Sequence, residues 1–373
     1  MSRVLFLTSA HPGGRGHIGA GEGSSKGNLL ALLAAGHEVH VLCLARDNQA
    51  AHPDIVARCA SYTTLTHSGG QSLRAILSNL RYGALVAPWF FTRVSPSHVQ
   101  AVVQVLRQRQ IDRVWIEFPS SLGFTTSLKG LELDYYAHDV VSQKIERKPL
   151  LKFLAPLVAH VEARLLSNVG HCHVVSRKDE ALVRRLGFKG KISLVLPTVL
   201  EVGEVQDAMP ISNIIERFSG ARNLIFFGNM ARTENHASIM RFLLLSYPQI
   251  RRQCPDVQLW ILGLAPRRSL RYLARFMKGV HVTGPVDDPS AAFLRADLCI
   301  APIEFGAGVK IKVLQMLEGG GHVVATPIGA EGIEPSERLI VVEMKEFSDA
   351  VIRMLKEVHL REWTCPAKVE SAV

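Results

Sequence analysis

Ala301-Pro302-Ile303-Glu304-Phe305-Gly306-Ala307-Gly308-Val309-Lys310-Ile311-Lys312-Val313-Leu314-Gln315-Met316-Leu317-Glu318-Gly319-Gly320-Gly321-His322-Val323-Val324-Ala325-Thr326 reads as strand, glycine turn, helix, glycine turn, strand. Glycines let backbone N–H groups approach an anion closely, and a helix start favours negative charge. The amides of Gly308 and Val309 therefore stand where a diphosphate can be held. Lys312 and Gln315 are three residues apart and share one helical face, a cation for phosphate beside an amide for a ribose hydroxyl. The plainer reading of the same residues is a surface lysine pair on an ordinary crossover helix.

The same alternation runs outward in both directions. Upstream strand candidates are Val4–Thr8, Glu38–Leu44, Arg113–Ile116, Asp134–Ala137, His171–Val175 and Ile192–Leu196. Later ones are Asn223–Phe227, Val257–Leu262, Val280–Val282, Leu298–Ala301, Val323–Thr326 and Ile340–Val342. Helical patterns such as Ser24–Ala35, His98–Arg109 and Ile239–Gln253 separate many of them. Strand and helix alternating at this spacing predict parallel sheets covered by helices, here two doubly wound α/β domains. Residues 1–200 form the first domain, 201–222 a linker of weak periodicity, and 223–345 the second domain. The helical tail 346–373 is expected to pack back on the first domain. Open α/β sheets bind ligands beyond the carboxyl ends of their strands, so the chemistry belongs in the turns that follow them.

Two such turns stand out in the first half. His11-Pro12-Gly13-Gly14-Arg15-Gly16-His17 follows the first strand, and Gly19-Ala20-Gly21-Glu22-Gly23 does not reproduce a dinucleotide-binding fingerprint. Gly13 and Gly14 are candidates for ligand approach; a glycine loop without a ligand is the alternative. His138-Asp139 follows Tyr135-Tyr136-Ala137, and a histidine there can serve as acid, base or hydrogen-bond donor. The alternative is a loop histidine capped by its neighbour.

Composition narrows the classes. Hydrophobic residues make up 47% of the 373-residue chain and charged residues 20%, which excludes wholesale disorder. No apolar run is long enough to cross a bilayer, and the amino terminus reads as a first strand rather than a signal peptide. Lys and Arg number 43 against 33 Asp and Glu, a net +10 that favours anionic partners. The six scattered cysteines read as buried thiols in a reducing compartment. A cytoplasmic protein is expected, with the inner face of the cytoplasmic membrane as a candidate place of action. No nucleic-acid-binding signature is present, so nucleic acid is not an expected partner.

The 301–326 stretch, continued by Thr326-Pro327-Ile328-Gly329-Ala330-Glu331-Gly332-Ile333, resembles the donor-binding segment of GT-B glycosyltransferases of glycosyltransferase family 4, in the bacterial polysaccharide branch. Phe226-Phe227-Gly228-Asn229-Met230 with Asn235 looks like the start of that family's second domain, and Val257–Gly263 like its next strand. Val161-Glu162-Ala163-Arg164 through Ser176 is similar to the end of its first domain.

The resemblance implies two Rossmann-like domains facing across a cleft and a nucleotide-sugar donor. It implies transfer with retention of configuration to a glycan or lipid-linked acceptor, with no cofactor and no metal. It implies Lys312 and His138 as catalytic groups, and donor contacts from Gly13, Gly14, Gly228, Asn229, Gly263, Gly308, Val309, Lys310 and Gln315. Asp139, Arg232, Glu304 and Glu331 are secondary candidates.

The sequence also departs from the family pattern. The paired carboxylates separated by seven residues fall at Ala307 and Gln315, and Asn229 and Asn235 replace the basic pair after the second-domain glycine. Glu304 and Arg232 are the candidate substitutes. These departures motivate a second hypothesis, a catalytically weak nucleotide-binding partner subunit. A nucleotide-sugar epimerase on a related scaffold is the third.

On the acceptor side, Ser72–Arg93 combines Leu73, Ile76, Leu77 and Leu80 at helical spacing with Arg74, Arg81 and the run Trp89-Phe90-Phe91. A basic, aromatic-rich amphipathic stretch suits peripheral contact with an anionic membrane. The alternative is a helix packed on the first sheet.

Overall fold

The computed structural model describes residues 2–13, 20–45, 50–128, 130–195, 208–218 and 221–364. The chain divides into two units, residues 1–200 and 201–373.

The first unit is built on a parallel sheet of seven strands: β1 (Arg3–Thr8), β2 (Glu38–Cys43), β3 (Ser61–Thr64), β4 (Arg113–Glu117), β5 (Glu132–Ala137), β6 (His171–Val174) and β7 (Lys191–Leu194). They are ordered β3-β2-β1-β4-β5-β6-β7. The second unit has six: β8 (Asn223–Phe227), β9 (Gln258–Leu262), β10 (Val280–Gly284), β11 (Leu298–Ala301), β12 (Val323–Ala325) and β13 (Leu339–Val341), ordered β10-β9-β8-β11-β12-β13. The pairings are parallel throughout. Helices cover such sheets on both faces, so the central strands are apolar without alternation: Val4 to Leu7 and Leu298 to Ala301 are entirely buried. In each sheet the order reverses beside the first strand of the unit, between β1 and β4 and between β8 and β11.

The expected strands are all present. The additional one is β3, Ser-Tyr-Thr-Thr, an edge strand that needs no apolar run because it is only half covered. The expected helix Ile239–Gln253 is two helices, Thr233–Leu245 and Tyr247–Gln253, with Pro248 in the first turn of the second, where a proline costs no hydrogen bond.

The regions that border the second domain are more closely packed than expected. The described part of 201–222 is not a free linker. Met209 bridges to Val286, and Ile214 in the helix Ser212–Ile215 is buried in the second core. The start of the tail packs in the second unit. In the helix Phe347–Thr364, Phe347, Val351, Ile352 and Leu355 belong to the second core, and Phe347 meets Phe242 edge-on at 6.0 Å. The apolar stripe of that helix fits the nearest sheet, and residues 365–373 lie outside the described residues.

Ser72–Arg93 is likewise not one amphipathic helix. A capped helix, Gly69–Ser78, is followed by turns at Leu80–Tyr82 and Pro88–Phe90, and Phe90 and Phe91 are fully buried. Burying each ring is worth roughly 1.5–3 kcal/mol, so Phe90 and Phe91 serve the first core, while Leu73, Leu77 and Leu80 stay exposed. The described cysteines are free thiols, four of them buried, and Cys365 lies outside the described residues.

Candidate functional site

In the second unit the turn after β8 is fixed by two glycines. Gly263 has φ +123°, and a Cβ there would sit 2.1 Å from the carbonyl oxygen of Gly228. No side chain fits, and the two turns close on each other. Gly228 N–H donates to Leu262 O at 3.0 Å, and Gly263 N–H to Gly284 O at 2.8 Å. A Cβ on Gly228 would stand 3.0 Å from Asn235 Nδ2 and 3.4 Å from Lys312 Cδ, so the bare backbone faces both side chains.

Lys312 projects from the helix Ile311–Glu318 into this corner. Its Nζ donates to Asn235 Oδ1 at 2.8 Å and lies 4.6 Å from the centre of the Phe226 ring. Asn235 Nδ2 in turn donates to Asn229 O at 2.8 Å. Burial, reinforced by the neighbouring charges of Lys310 and Arg232, brings the Lys312 pKa down to about 7. An ammonium in that state gains most from an arriving anion.

Lys310 caps the same helix. Its Nζ donates to Gly308 O at 2.6 Å and Ala307 O at 3.2 Å, with Glu331 Oε2 at 3.9 Å. Gly306 and Gly308 both take positive φ, which bends the loop so that its carbonyls hold the lysine. Lys310, Lys312, Asn235, Gly228 and Glu331 are thus brought together, with Gln315 half-buried one turn along the helix from Lys312. Glu304 is engaged by Arg241, Nε to Oε2 at 3.0 Å. Arg232 stands exposed at the start of the helix Thr233–Leu245.

In the first unit Gly13 takes φ +58°, and a Cβ there would sit 2.6 Å from Lys26 Cδ, so the lysine stem lies over the turn. Gly14 falls outside the described residues. His138 follows β5, but its partner is not Asp139, which faces Lys144 at 3.6 Å. His138 Nε2–H donates to Glu117 Oε2 at 2.6 Å. The Glu117 side chain is completely buried at the end of β4, and its Oε1 accepts from Trp115 Nε1 and Asn28 Nδ2, each at 2.8 Å.

The imidazole also stacks on Phe118, ring centres 4.3 Å apart and planes within 4°. Phe118 itself holds φ +67°, a conformation that costs a non-glycine residue about 1–3 kcal/mol and is typical of positions fixed for function. Nδ1 faces the helix Ala20–Ala34, where a Cβ on Gly21 would come within 3.9 Å of it. Glu117 was not anticipated; an acid closing the apolar strand Arg113-Val-Trp-Ile-Glu was the available signal.

Just beyond His138, Val141 and Ser142 donate their N–H groups to Glu162 Oε1 and Oε2 at 2.8 and 2.9 Å. Glu162 is buried in the helix Ala155–Leu166, and burial raises its pKa. The carboxylate caps the short helix Val141–Glu146 from outside.

A further cluster lies toward the amino ends of the strands. Asp134, His171 and His173 place one ligand atom each within 4.8 Å of one another. Arg113 spans both Asp134 oxygens, however, and His173 Nε2 donates to Oδ1 at 2.9 Å. A dication there would have to share a carboxylate already committed to a guanidinium. The group reads as an ion-pair network joining β4, β5 and β6.

A family model described as Glycosyl transferases group 1 matches residues 221–357, and one described as Glycosyltransferase Family 4 matches residues 29–199. Sucrose-phosphate synthase from Thermosynechococcus elongatus shares the fold with a TM-score of 0.67 at 16% identity, covering 98% of this chain and 90% of that one. HepE from Anabaena, solved in complex with UDP-glucose, has a TM-score of 0.62 at 12% identity, covering 96% of this chain and 91% of that one. An uncharacterised 44.6 kDa protein in the cps region of Klebsiella pneumoniae is 29% identical over 117 residues, which span 30% of each chain.

Proposed function

The chain belongs to the family 4, group 1 glycosyltransferases of GT-B fold, and we propose that it moves a sugar, with retention of configuration, from a nucleoside-diphosphate sugar to a glycan or lipid-linked glycan. The observation that carries the donor is the corner formed by Gly228, Asn235, Lys310 and Lys312. A departing diphosphate needs fixed positive charge and N–H donors already in place, because reorganising them during bond cleavage would raise the barrier. Lys312 and Lys310 supply the charge, and the amides of Gly308 and Val309 the donors. Gln315 meets a ribose hydroxyl. His138, held by Glu117, contacts the donor sugar or the acceptor hydroxyl. The relative in a cps region supports a place in surface-polysaccharide synthesis.

A thermal-shift panel of UDP, GDP, dTDP, CDP and ADP, each confirmed by calorimetry, tests this. Selective stabilisation by one nucleoside diphosphate, followed by turnover of its sugar conjugates, is the expected result. Ala307 and Gln315 favour one second reading, since both carboxylates of the family's pair are missing. Saturable nucleotide binding without turnover across donors and acceptors would establish that non-catalytic subunit instead.

A further inference from the structure

Among the exposed large apolar side chains of the first unit are Leu150 at 87% exposure, Leu85 at 78%, Phe153 at 72%, Leu157 at 54% and Leu80 at 47%. Single exposed leucines are ordinary on protein surfaces. These belong to two segments that touch. A Cβ on Gly83 would lie 2.5 Å from Val161 Cγ2, and the Arg164 guanidinium sits 5.8 Å from the centre of the Tyr82 ring. Leu157, Val161 and Arg164 follow one another at helical spacing on the helix Ala155–Leu166, so Leu157 lies one turn along the face that meets the Tyr82–Gly83 turn. Leu150 and Phe153 sit in the loop and turn that lead into this helix.

The charge around these side chains is one-sided. Not one acidic residue occurs between Asp54 and Asp112, a stretch that includes Arg74 and Arg81. Arg147, Lys148, Lys152 and Arg164 accompany the second segment against the exposed Glu146 and a Glu162 buried on backbone N–H groups, while Lys144 pairs with Asp139 at 3.6 Å. Apolar tips set among cations that outnumber the acids match an anionic lipid surface: the tips enter the acyl boundary while the cations stay at the phosphates. Among the described residues no helix is long and apolar enough to cross a membrane, so the contact is with one leaflet's surface.

We infer that the first unit docks on an anionic bilayer through the Leu80–Leu85 and Leu150–Leu157 segments. The docking element is therefore not the Trp89–Phe91 run, which the core consumes.

Co-sedimentation of the full chain with vesicles tests this without any transfer reaction. Vesicles of phosphatidylglycerol and phosphatidylcholine should carry the protein down, phosphatidylcholine alone should not, and high salt should weaken the binding. Phe153→Glu and Leu150→Glu should each lower the bound fraction about tenfold, because a charge replaces an inserted apolar tip. Phe276→Glu, at an equally exposed ring of the second unit, should leave binding unchanged. Nucleoside-diphosphate affinity and the melting profile of each variant report that it is folded. Absence of binding to anionic vesicles overturns the inference, as does binding that Phe153→Glu does not alter. A dimer in solution that Phe153→Glu converts to monomer also overturns it, in favour of contact between two copies of the chain.

Discussion

Glu117 holds His138 from behind: a fully buried carboxylate oxygen accepts the Nε2 proton at 2.6 Å, while Trp115 and Asn28 fill the other oxygen. This bond fixes the tautomer, so Nδ1 is the nitrogen left for chemistry. In Glu117→Gln the amide can donate to Nε2 and reverse the tautomer. Transfer should fall by about 10²-fold or more, the scale on which general acid–base groups act. Nucleoside-diphosphate affinity should be unchanged. Nitrogen NMR of the His138 ring separates this from misfolding, since the protonated nitrogen should change from Nε2 to Nδ1. An unaltered ring with full activity would remove Glu117 from the positioning role.

Lys312→Ala should weaken nucleoside-diphosphate binding by about 10- to 100-fold, in line with roughly 1.5–3 kcal/mol for a hydrogen bond to a charged group. Lys312→Arg should not restore it, because the planar fork cannot occupy the space beside Gly228 and Phe226. Calorimetry on both variants checks this, with unchanged affinity in the alanine variant as the contrary result.

The same lysine should make binding depend on pH. With its pKa brought down to about 7, Lys312 loses its proton as pH rises through neutrality, and the empty site loses a positive charge. A bound diphosphate favours the ammonium and raises that pKa. Affinity should therefore decline above pH 7, and binding there should take up a proton. Titrations in buffers of different ionisation enthalpy would show this as a buffer-dependent heat, which should vanish in Lys312→Ala.

Gly263→Ala should be damaging without touching any charged group. The added carbon would stand 2.1 Å from Gly228 O, so the β8 and β9 turns would have to part. A cost of at least about 1–3 kcal/mol is expected from the positive φ alone, read as a lowered melting temperature together with lost nucleotide binding.

Phe347→Ala should destabilise the second unit by about 3–5 kcal/mol, the usual range for removing a buried ring. The first unit's transition should be unaffected. Calorimetric unfolding with two resolved transitions would check both statements.

The sheets were legible because central parallel strands advertise themselves: Val4 to Leu7 or Leu224 to Phe226 can only be buried. β3 was not, since an edge strand of Ser, Tyr and Thr carries no apolar demand. Lys310, Lys312 and Gly228 could be read from glycine and lysine spacing. Glu117 could not, because an acid at a strand end acquires its meaning only when β5 places His138 beside it. Trp89–Phe91 stayed open between core and surface for a related reason. Aromatic rings suit a core and a membrane equally, and only the packing of Phe90 and Phe91 decides.

Glu162 sits on the helix that presents Leu157, and its two oxygens grip the chain at Val141 and Ser142, three and four residues past His138. One helix therefore joins the exposed Leu157 side of the first unit to the histidine turn. Anything that tilts that helix pulls on the turn through two short bonds, with no slack in between.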